Sequence, residues 1–480
     1  MTLQHKTITG LIWAFIQQFS VQLISFCITI GLARILMPAE FGLIAMMAIL
    51  ISVGKSLLDS GLTSSLIRSN DLTQDDYSTV FYFNFGGSIA IYIIVFMLAP
   101  LIARLYHQLM LVPLIRVYTL EFILNAFYSV QNARLTKDMN FKAQMLIQIP
   151  SVLIGGVLGI VLAINGYGVW SLVWLALSQS FLSTIMHWWY SGWVPSLVFK
   201  KSCFRRHFGF GYKMTITGLM DIVFRNINIL IIGRYYSLTQ LGFYSRADSF
   251  SQLPITNISM VLHKVTYPMF TEIGDDDEKL KRVYRRIMQQ VIFWTAPILI
   301  LMIILAEPLF LFLLTAKWLP AVPYFQILCL AGIMYPLNAY NLNILKVKGR
   351  SDLVLKLETI KKAICLIGIC CVTYFGIYGL LYFQLIFSVV AYYINGAYSN
   401  ALIGYPLKEQ FFDLWPILAS AFIAGLVTFL FDSLIVGELV PGNLVRIVCS
   451  GLFFCVVYLI TGLLLKLMPI NDFKILILKK

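Results

Sequence analysis

Residues 79–103 read TVFYFNFGGSIAIYIIVFMLAPLIA, a run without a single charged side chain. As an α-helix it is long enough to cross the ~30 Å hydrocarbon core of a bilayer. A membrane-spanning strand would alternate polar and apolar residues over about ten positions, and this run does not. Working outward from it, the chain holds fourteen apolar stretches of about that length: 8–33, 41–66, 79–103, 113–133, 145–164, 167–193, 208–232, 241–267, 289–315, 321–345, 359–377, 379–402, 414–431 and 444–465. The loops between them are short, and none has room for a folded soluble domain. Composition agrees: 59% of residues are hydrophobic and 12% charged, against about 25% charged in soluble domains. Backbone groups in lipid must be satisfied within the segment, so the spans are expected to be helices. The expected fold is an all-α integral membrane protein of about 14 transmembrane helices. Residues 8–33 exceed a signal-peptide core and flow into the rest of the bundle, which reads as a retained span. Glu307-Pro308 interrupts 289–315, which is either one kinked helix or a helix with a re-entrant end; Gly376 and Gly379 mark the turn before the twelfth span.

The net charge of +14 is distributed by side and does not imply nucleic-acid binding. About 26 Lys and Arg lie in the even-numbered loops and both tails, from Lys6 and Arg68 to Lys479 and Lys480. The odd-numbered loops hold Arg34, Arg104, Arg116, Arg234, Lys317 and Arg446. The positive-inside rule then places both termini in the cytoplasm. The stretch Asp275–Arg286 reads as a solvated cytoplasmic linker. The eight cysteines fall nearly all in apolar runs without the paired spacing of a zinc site, and read as small buried helix residues. His187 beside Trp188, Trp189 and Tyr190 reads as part of an interfacial aromatic belt. His5, His107 and His207 lie near interfaces without metal-like spacing. There is no P-loop and no evident Ser/His/Asp or Cys/His arrangement, so neither ATP binding nor nucleophilic catalysis is expected, and no metal site.

The chain also repeats itself. Residues 33–42 read ARILMPAEFG and residues 233–242 read GRYYSLTQLG, with Arg and Gly at the same separation. Each segment joins the first and second span of a half, which gives spans one to six and seven to twelve the same orientation. The expected organisation is two parallel six-helix lobes, 1–199 and 200–408, with a C-terminal helix pair at 409–480. Two parallel lobes place a substrate at their interface.

Ionisable groups at membrane depth are expensive and usually face a cavity or a partner. Lys55 and Asp59 lie four apart in the second span, and Asp221 and Arg225 four apart in the seventh, each pair on one helix face. Arg246 and Asp248 sit early in the eighth span, His263 and Lys264 near its end, and Glu121 in the fourth. Lys55, Arg225, Arg246 and Lys264 are available to an anionic ligand, and the arginine fork suits phosphate. The plainer reading is that each spaced pair neutralises itself and stabilises packing, and that Arg246 snorkels to the interface.

Four segments carry a family resemblance: Ala33–Gly42, Asp59–Phe83 (DSGLTSSLIRSNDLTQDDYSTVFYF), Gly233–Ser245 (GRYYSLTQLGFYS) and Lys348–Lys362 (KGRSDLVLKLETIKK). With them the chain resembles the polysaccharide transporter family of the multidrug/oligosaccharidyl-lipid/polysaccharide flippase superfamily. The resemblance implies a non-enzymatic flippase in the bacterial cytoplasmic membrane. Its substrate would be an isoprenyl-diphosphate-linked oligosaccharide, moved from the cytoplasmic to the outer leaflet by alternating access, for surface polysaccharides such as O-antigen, capsule or exopolysaccharide. On that reading Lys55, Arg225, Arg246 and Lys264 contact the headgroup or diphosphate. Asp59, Asp221 and Asp248 tune them or bind a coupling Na+ or H+; no other cofactor is expected. Expected partners are the lipid-linked oligosaccharide, membrane lipid and polysaccharide polymerase or assembly proteins, with no nucleic acid. The alternatives are a cation-coupled drug exporter of the same superfamily and, from another class, a membrane polymerase or ligase. The latter would want a sizeable outside loop bearing Arg, His or carboxylates, and the outside loops here are short and chemically thin.

Overall fold

A computed structural model describes residues 3–59, 61–69, 71–273, 276–437 and 442–470. All regular structure among these residues is helical. Eleven stretches are long and apolar enough to cross a membrane, or twelve if the bent pair Thr215–Arg225 and Ile227–Tyr235 counts as one span. The expected fourteen is not reached by that measure, for two reasons. The run Ser351–Ile403 counts once although the sequence divides it at Gly376, and Leu238–Glu272 is too polar to qualify.

By packing, the chain divides into two compact units, Met1–Gly242 and Phe243–Lys480. The first holds α1 (Leu3–Ile35), α2 (Pro38–Asp59), α3 (Leu62–Arg68), α4 (Gln74–Leu105), α5 (Leu111–Tyr118) and α6 (Glu121–Lys137). It continues with α7 (Phe141–Ile164), α8 (Val169–Ser191), α9 (Lys201–Arg225) and α10 (Ile227–Tyr235). α6 is central, packed by α8, α4, α3, α2 and α7, while α7 packs on both α1 and α8. The cause of the close α7 packing is a glycine stripe. A Cβ on Gly155 would lie 3.0 Å from the Leu175 carbonyl oxygen of α8, and one on Gly156 2.1 Å from the Ile28 side chain of α1. Without a hydrophobic driving force between helices in lipid, such small-residue surfaces let backbones approach and gain van der Waals contact.

The repeat is visible in the backbone. α1 ends at Ile35 and α2 begins at Pro38; α10 ends at Tyr235 and α11 (Leu238–Glu272) begins at Leu238. The two helix starts are capped alike: Met37 N donates to Glu40 Oε2 at 2.7 Å, and Ser237 N donates to Gln240 Oε1 at 3.3 Å. The two first turns also meet. A Cβ on Gly42 would lie 2.2 Å from the Leu238 carbonyl oxygen, and one on Gly242 1.8 Å from the Pro38 carbonyl oxygen. Residues 38 and 238, like 42 and 242, are repeat equivalents, so the joint is reciprocal: each glycine lies against the other copy's carbonyl.

The second unit holds most of α11, then α12 (Asp277–Ile304), α13 (Ala306–Leu313), α14 (Val322–Ile333), α15 (Tyr335–Val347) and α16 (Ser351–Val372). α17 (Gly376–Gly396), α18 (Ser399–Ile403), α19 (Leu407–Phe431) and α20 (Asn443–Leu464) complete it. The 289–315 stretch resolves into two helices broken at Leu305, with Glu307-Pro308 in the first turn of α13. Gly376, at φ 76°, makes the turn into α17, a conformation that side chains disfavour.

Two expectations need correction here. Residues 276–286 are no linker: Asp276 caps α12 by accepting from Lys279 N, and Leu280 and Tyr284 are fully buried. The apolar positions 280, 284, 288, 291 and 292 recur at helical spacing and face the core, which leaves the charges on the other face. There Lys281 pairs with Glu409 at 2.8 Å and Arg285 pairs with Asp413, both of α19. The cysteines are mostly not buried either. Cys27, Cys370, Cys371, Cys449 and Cys455 are exposed, because a membrane helix needs no shielding of its apolar outer face. α20 is held to the end of α19 by Arg446, whose Nη2 and Nε reach the Asp432 carboxylate at 2.6 and 3.0 Å, with Ser450 Oγ donating at 2.8 Å.

Candidate functional site

Gly54 of α2 lies against the ring of Phe122, where a Cβ would be 2.2 Å from Cζ. Phe122 is fully buried among Ile51 and Leu58 of α2, Ile91 and Val95 of α4, and Tyr118 of α5. That seating brings the residues adjoining them together: Lys55 Nζ lies 2.6 Å from Glu121 Oε1. Ser180 Oγ of α8 donates to the same oxygen at 3.2 Å. The Glu121 side chain is 9% exposed and that of Lys55 41%, so a buried carboxylate holds an ammonium that also faces outward. The second oxygen, Glu121 Oε2, is buried and has no hydrogen-bond partner among the described residues. Lys55 thus pairs across helices to Glu121; the Asp59 side chain lies outside the described residues.

From Glu121 a polar stripe runs down α6 through Asn125, Tyr128, Asn132 and Thr136, spaced three or four apart and so on one face. Asn125 Nδ2 donates to the Glu121 carbonyl at 2.9 Å, and Tyr128 OH donates to Asn125 Oδ1 at 2.5 Å. The Tyr128 ring stacks on His187 of α8 at 4.8 Å between centroids. His187 Nε2 lies 3.4 Å from Asn132 Oδ1, and Gln144 Nε2 of α7 donates to Asn132 Oδ1 at 3.2 Å and Thr136 Oγ1 at 2.7 Å. His187 is 1% exposed. It is not part of an interfacial belt; its neighbours Trp189 and Tyr190 are the exposed rings. Adjacent helix positions point about 100° apart, so a stretch that is aromatic in sequence need not share one environment.

The remaining candidates fall in two places. α9 packs along α2, with Gly218 at Ser56, the residue after Lys55. Asp221 and Arg225 follow on α9, both exposed, so the second-span and seventh-span charges belong to one region of the first unit. Arg246 and Asp248 lie on the part of α11 in the second unit, both half-buried. The side chains of His263 and Lys264 lie outside the described residues.

Sequence reading missed a second buried cluster. His207 is fully buried, with Nδ1 2.8 Å from Ser65 Oγ and Nε2 3.3 Å from Asp76 Oδ1. The other Asp76 oxygen accepts from Thr73 N and Oγ1 at 2.9 and 2.7 Å, capping α4. These are serine, histidine and aspartate, yet Ser65 is itself buried and cannot meet a substrate, so the cluster is a clasp. It fixes the start of α9 to α3 and α4. The incoming segment is stitched to α4 as well: Gln74 Nε2 donates to the Val194 carbonyl at 2.8 Å, Ser196 N to Ser78 Oγ at 3.0 Å, and Lys200 pairs with Asp75. Hydrogen bonding to Asp75 holds the Lys200 ammonium above its ordinary range. Burial pushes the His207 imidazole down, an effect Asp76 only partly offsets.

Helices long and apolar enough to span a membrane, with charges and amides in their interior, define a multi-pass membrane protein. The fold is similar to that of the Lipid II flippase MurJ in its inward closed conformation, with a TM-score of 0.73 over 94% of this chain and 98% of that one at 14% identity. It is also similar to an inward-facing multidrug resistance MATE family transporter of the MOP superfamily, with a TM-score of 0.60 over 81% and 98% at 16% identity. The sequence profile described as "Polysaccharide biosynthesis protein" matches residues 31–323, and the chain belongs to that family. Similar relatives include the lipopolysaccharide biosynthesis protein WzxC of Escherichia coli (strain K12), 23% identical over 445 residues and 89% of each chain. The succinoglycan biosynthesis transport protein ExoT of Rhizobium meliloti (strain 1021) is 25% identical over 480 residues, 96% of this chain and 94% of its own.

Proposed function

We propose that this protein is a flippase for an isoprenyl-diphosphate-linked oligosaccharide, moved from the cytoplasmic to the outer leaflet of the bacterial inner membrane during surface polysaccharide synthesis. Membership of the polysaccharide biosynthesis family gives the class of substrate. The observation that carries the chemistry is the half-exposed Lys55 ammonium on α2 beside the α9 segment bearing exposed Arg225. Both are cations at membrane depth, where a charge is retained only for a partner or a ligand.

A sugar headgroup and a diphosphate cannot cross hydrocarbon unaided, whereas a polar cleft can carry them while the lipid tail stays in the bilayer. Lys55 of the first lobe, with Arg225, Arg246 and Lys264 of the second, would hold the diphosphate by charge-assisted hydrogen bonds. Lobes 1–199 and 200–408 would rock about that site to alternate access, with both termini cytoplasmic and a cation coupling the cycle. No bond is made or broken, so the protein is a transporter and not an enzyme. The cations favour an anionic lipid over the cationic drugs of an exporter.

The test is complementation of a bacterial strain lacking its own oligosaccharide-lipid flippase. The intact chain is compared with Lys55→Ala, Arg225→Ala and Arg246→Ala at matched membrane levels. Surface polysaccharide should return with the intact chain and be lost with the variants. Full restoration by all three variants would remove the cationic site, and no restoration across strains of several glycan types would overturn the flippase reading.

A further inference from the structure

Glu121 is the group that the proposed transport step leaves unexplained. It is buried, its Oε1 is shared by Lys55 and Ser180, and its Oε2 has no partner among the described residues. A carboxylate at that depth is tolerable while Lys55 neutralises it, and costly once Lys55 turns away. Lys55 is also a cation proposed to hold the substrate diphosphate, and one ammonium cannot fully serve two anions.

We infer that Glu121 is a proton-binding site coupled to the anionic headgroup: when Lys55 passes to the diphosphate, Glu121 takes up a proton at its open oxygen and stays neutral until the anion leaves. This rests on the flippase reading and adds to it a site and a ligand. A buried carboxylate deprived of its counter-ion neutralises by protonation, so each headgroup bound brings one proton into the first unit. The proton comes from water and returns to water, and no covalent bond other than O–H changes.

The surroundings of Glu121 leave few rivals for that proton. α2 contributes Lys55; the Asp59 side chain is outside the described residues. α5 contributes Tyr118 and α6 itself Tyr128, both raising no competing charge near neutral pH. α4 presents Ile91 and Val95 at this level. α8 presents Ser180 and Thr184, then His187 further down, and α7 contributes the amide Gln144. α3 packs on the far half of α6, against Val130 and Ala133.

The α6 stripe leads toward Glu121, but its hydrogen bonds break at the Tyr128–His187 stack and end on the Glu121 backbone carbonyl. From Thr136 at the end of α6 that the charge bias places in the cytoplasm, Gln144, Asn132 and His187 follow in hydrogen-bonding reach. Tyr128, stacked on His187, bonds Asn125, which bonds the Glu121 backbone.

The experiment uses the full chain in lipid nanodiscs with farnesyl diphosphate as the probe and farnesol as the neutral control. Calorimetry in two buffers of different ionisation enthalpy counts protons taken up on binding. The intact protein should take up about one proton per diphosphate bound, so its Kd should weaken roughly tenfold per pH unit on the alkaline side. Glu121→Gln should bind without uptake and with that pH slope flattened, and infrared difference spectra should lose the carboxylic-acid band that binding produces in the intact protein. Lys55→Met should bind at least about tenfold more weakly. Binding by the intact protein without proton uptake overturns the inference alone, even if Glu121→Gln fails to fold. Undiminished uptake in Glu121→Gln also overturns it, by placing the proton elsewhere. No binding of farnesyl diphosphate by the intact protein overturns both the inference and the anionic-lipid reading beneath it.

Discussion

Gly42→Ala and Gly242→Ala should each destabilise the protein, and the two together should cost little more than one. Ordinary contact begins at 3.4 Å, so the helices must separate by about 1.2 Å for a Cβ at position 42 and about 1.6 Å at position 242. The obstacle in both cases is a carbonyl oxygen, which cannot swing aside as a side chain would. Overpacking of this kind costs ~3 kcal/mol at the upper end of its usual range, and alanine returns up to ~1 kcal/mol of helix propensity. Each single variant should therefore lose about 2 kcal/mol, Gly242→Ala the more. Because the glycines are reciprocal members of one joint, separating the turns for one Cβ makes room for the other. The double variant should lose about 2.5 kcal/mol, a coupling of about 1.5 kcal/mol, within the range for residues in contact. Reversible unfolding of the four proteins in mixed micelles measures the cycle. Additive losses, or no loss in either single variant, would refute the reciprocal joint.

Lys55→Met should lose about 2 kcal/mol, less than for a fully buried pair because Lys55 is 41% exposed. Lys55→Met with Glu121→Leu should recover at least half of that in the same micelle assay, since no buried charge then remains. Asp432→Asn should cost about 2–4 kcal/mol by stripping Arg446 of its carboxylate, and hydrogen exchange should show α20 opening before the rest. Because the folded His207 has its pKa below the ordinary 6.5, the unfolded chain binds the extra proton. Stability should thus be fully present above about pH 6.5 and fall as the pH drops below it. Melts between pH 5 and 8 should show that slope in the intact protein and a shallower one in His207→Gln.

The helical bundle and its repeat were legible because both are local. Span length needs only a window of apolar residues, and the Arg and Gly of each copy lie eight residues apart. What escaped sequence reading was long-range. Lys55 has a partner 66 residues away, and the fact that seats it there is a missing Cβ at Gly54. His207 meets Ser65 and Asp76 across 142 and 131 residues, which no spacing rule detects. A signal for the α6 stripe was present: Glu121, Asn125, Tyr128, Asn132 and Thr136 already follow helical periodicity on an otherwise apolar span. The start of α12 was misread because its acidic and basic residues outweighed Leu280 and Tyr284, the residues that fix its place.

The joint between the two copies is made of Cα atoms and carbonyl oxygens, with no side chain to read. Of the ten aligned positions in ARILMPAEFG and GRYYSLTQLG, the Arg and the final Gly are identical, yet both helix breaks fall at the same places. A duplicated gene held together in this way is constrained at very few letters. The rest of each copy is free to drift, so the halves can acquire unlike chemistry, a lysine–glutamate pair in one and an arginine in the other, while the contact of the two first turns keeps its shape.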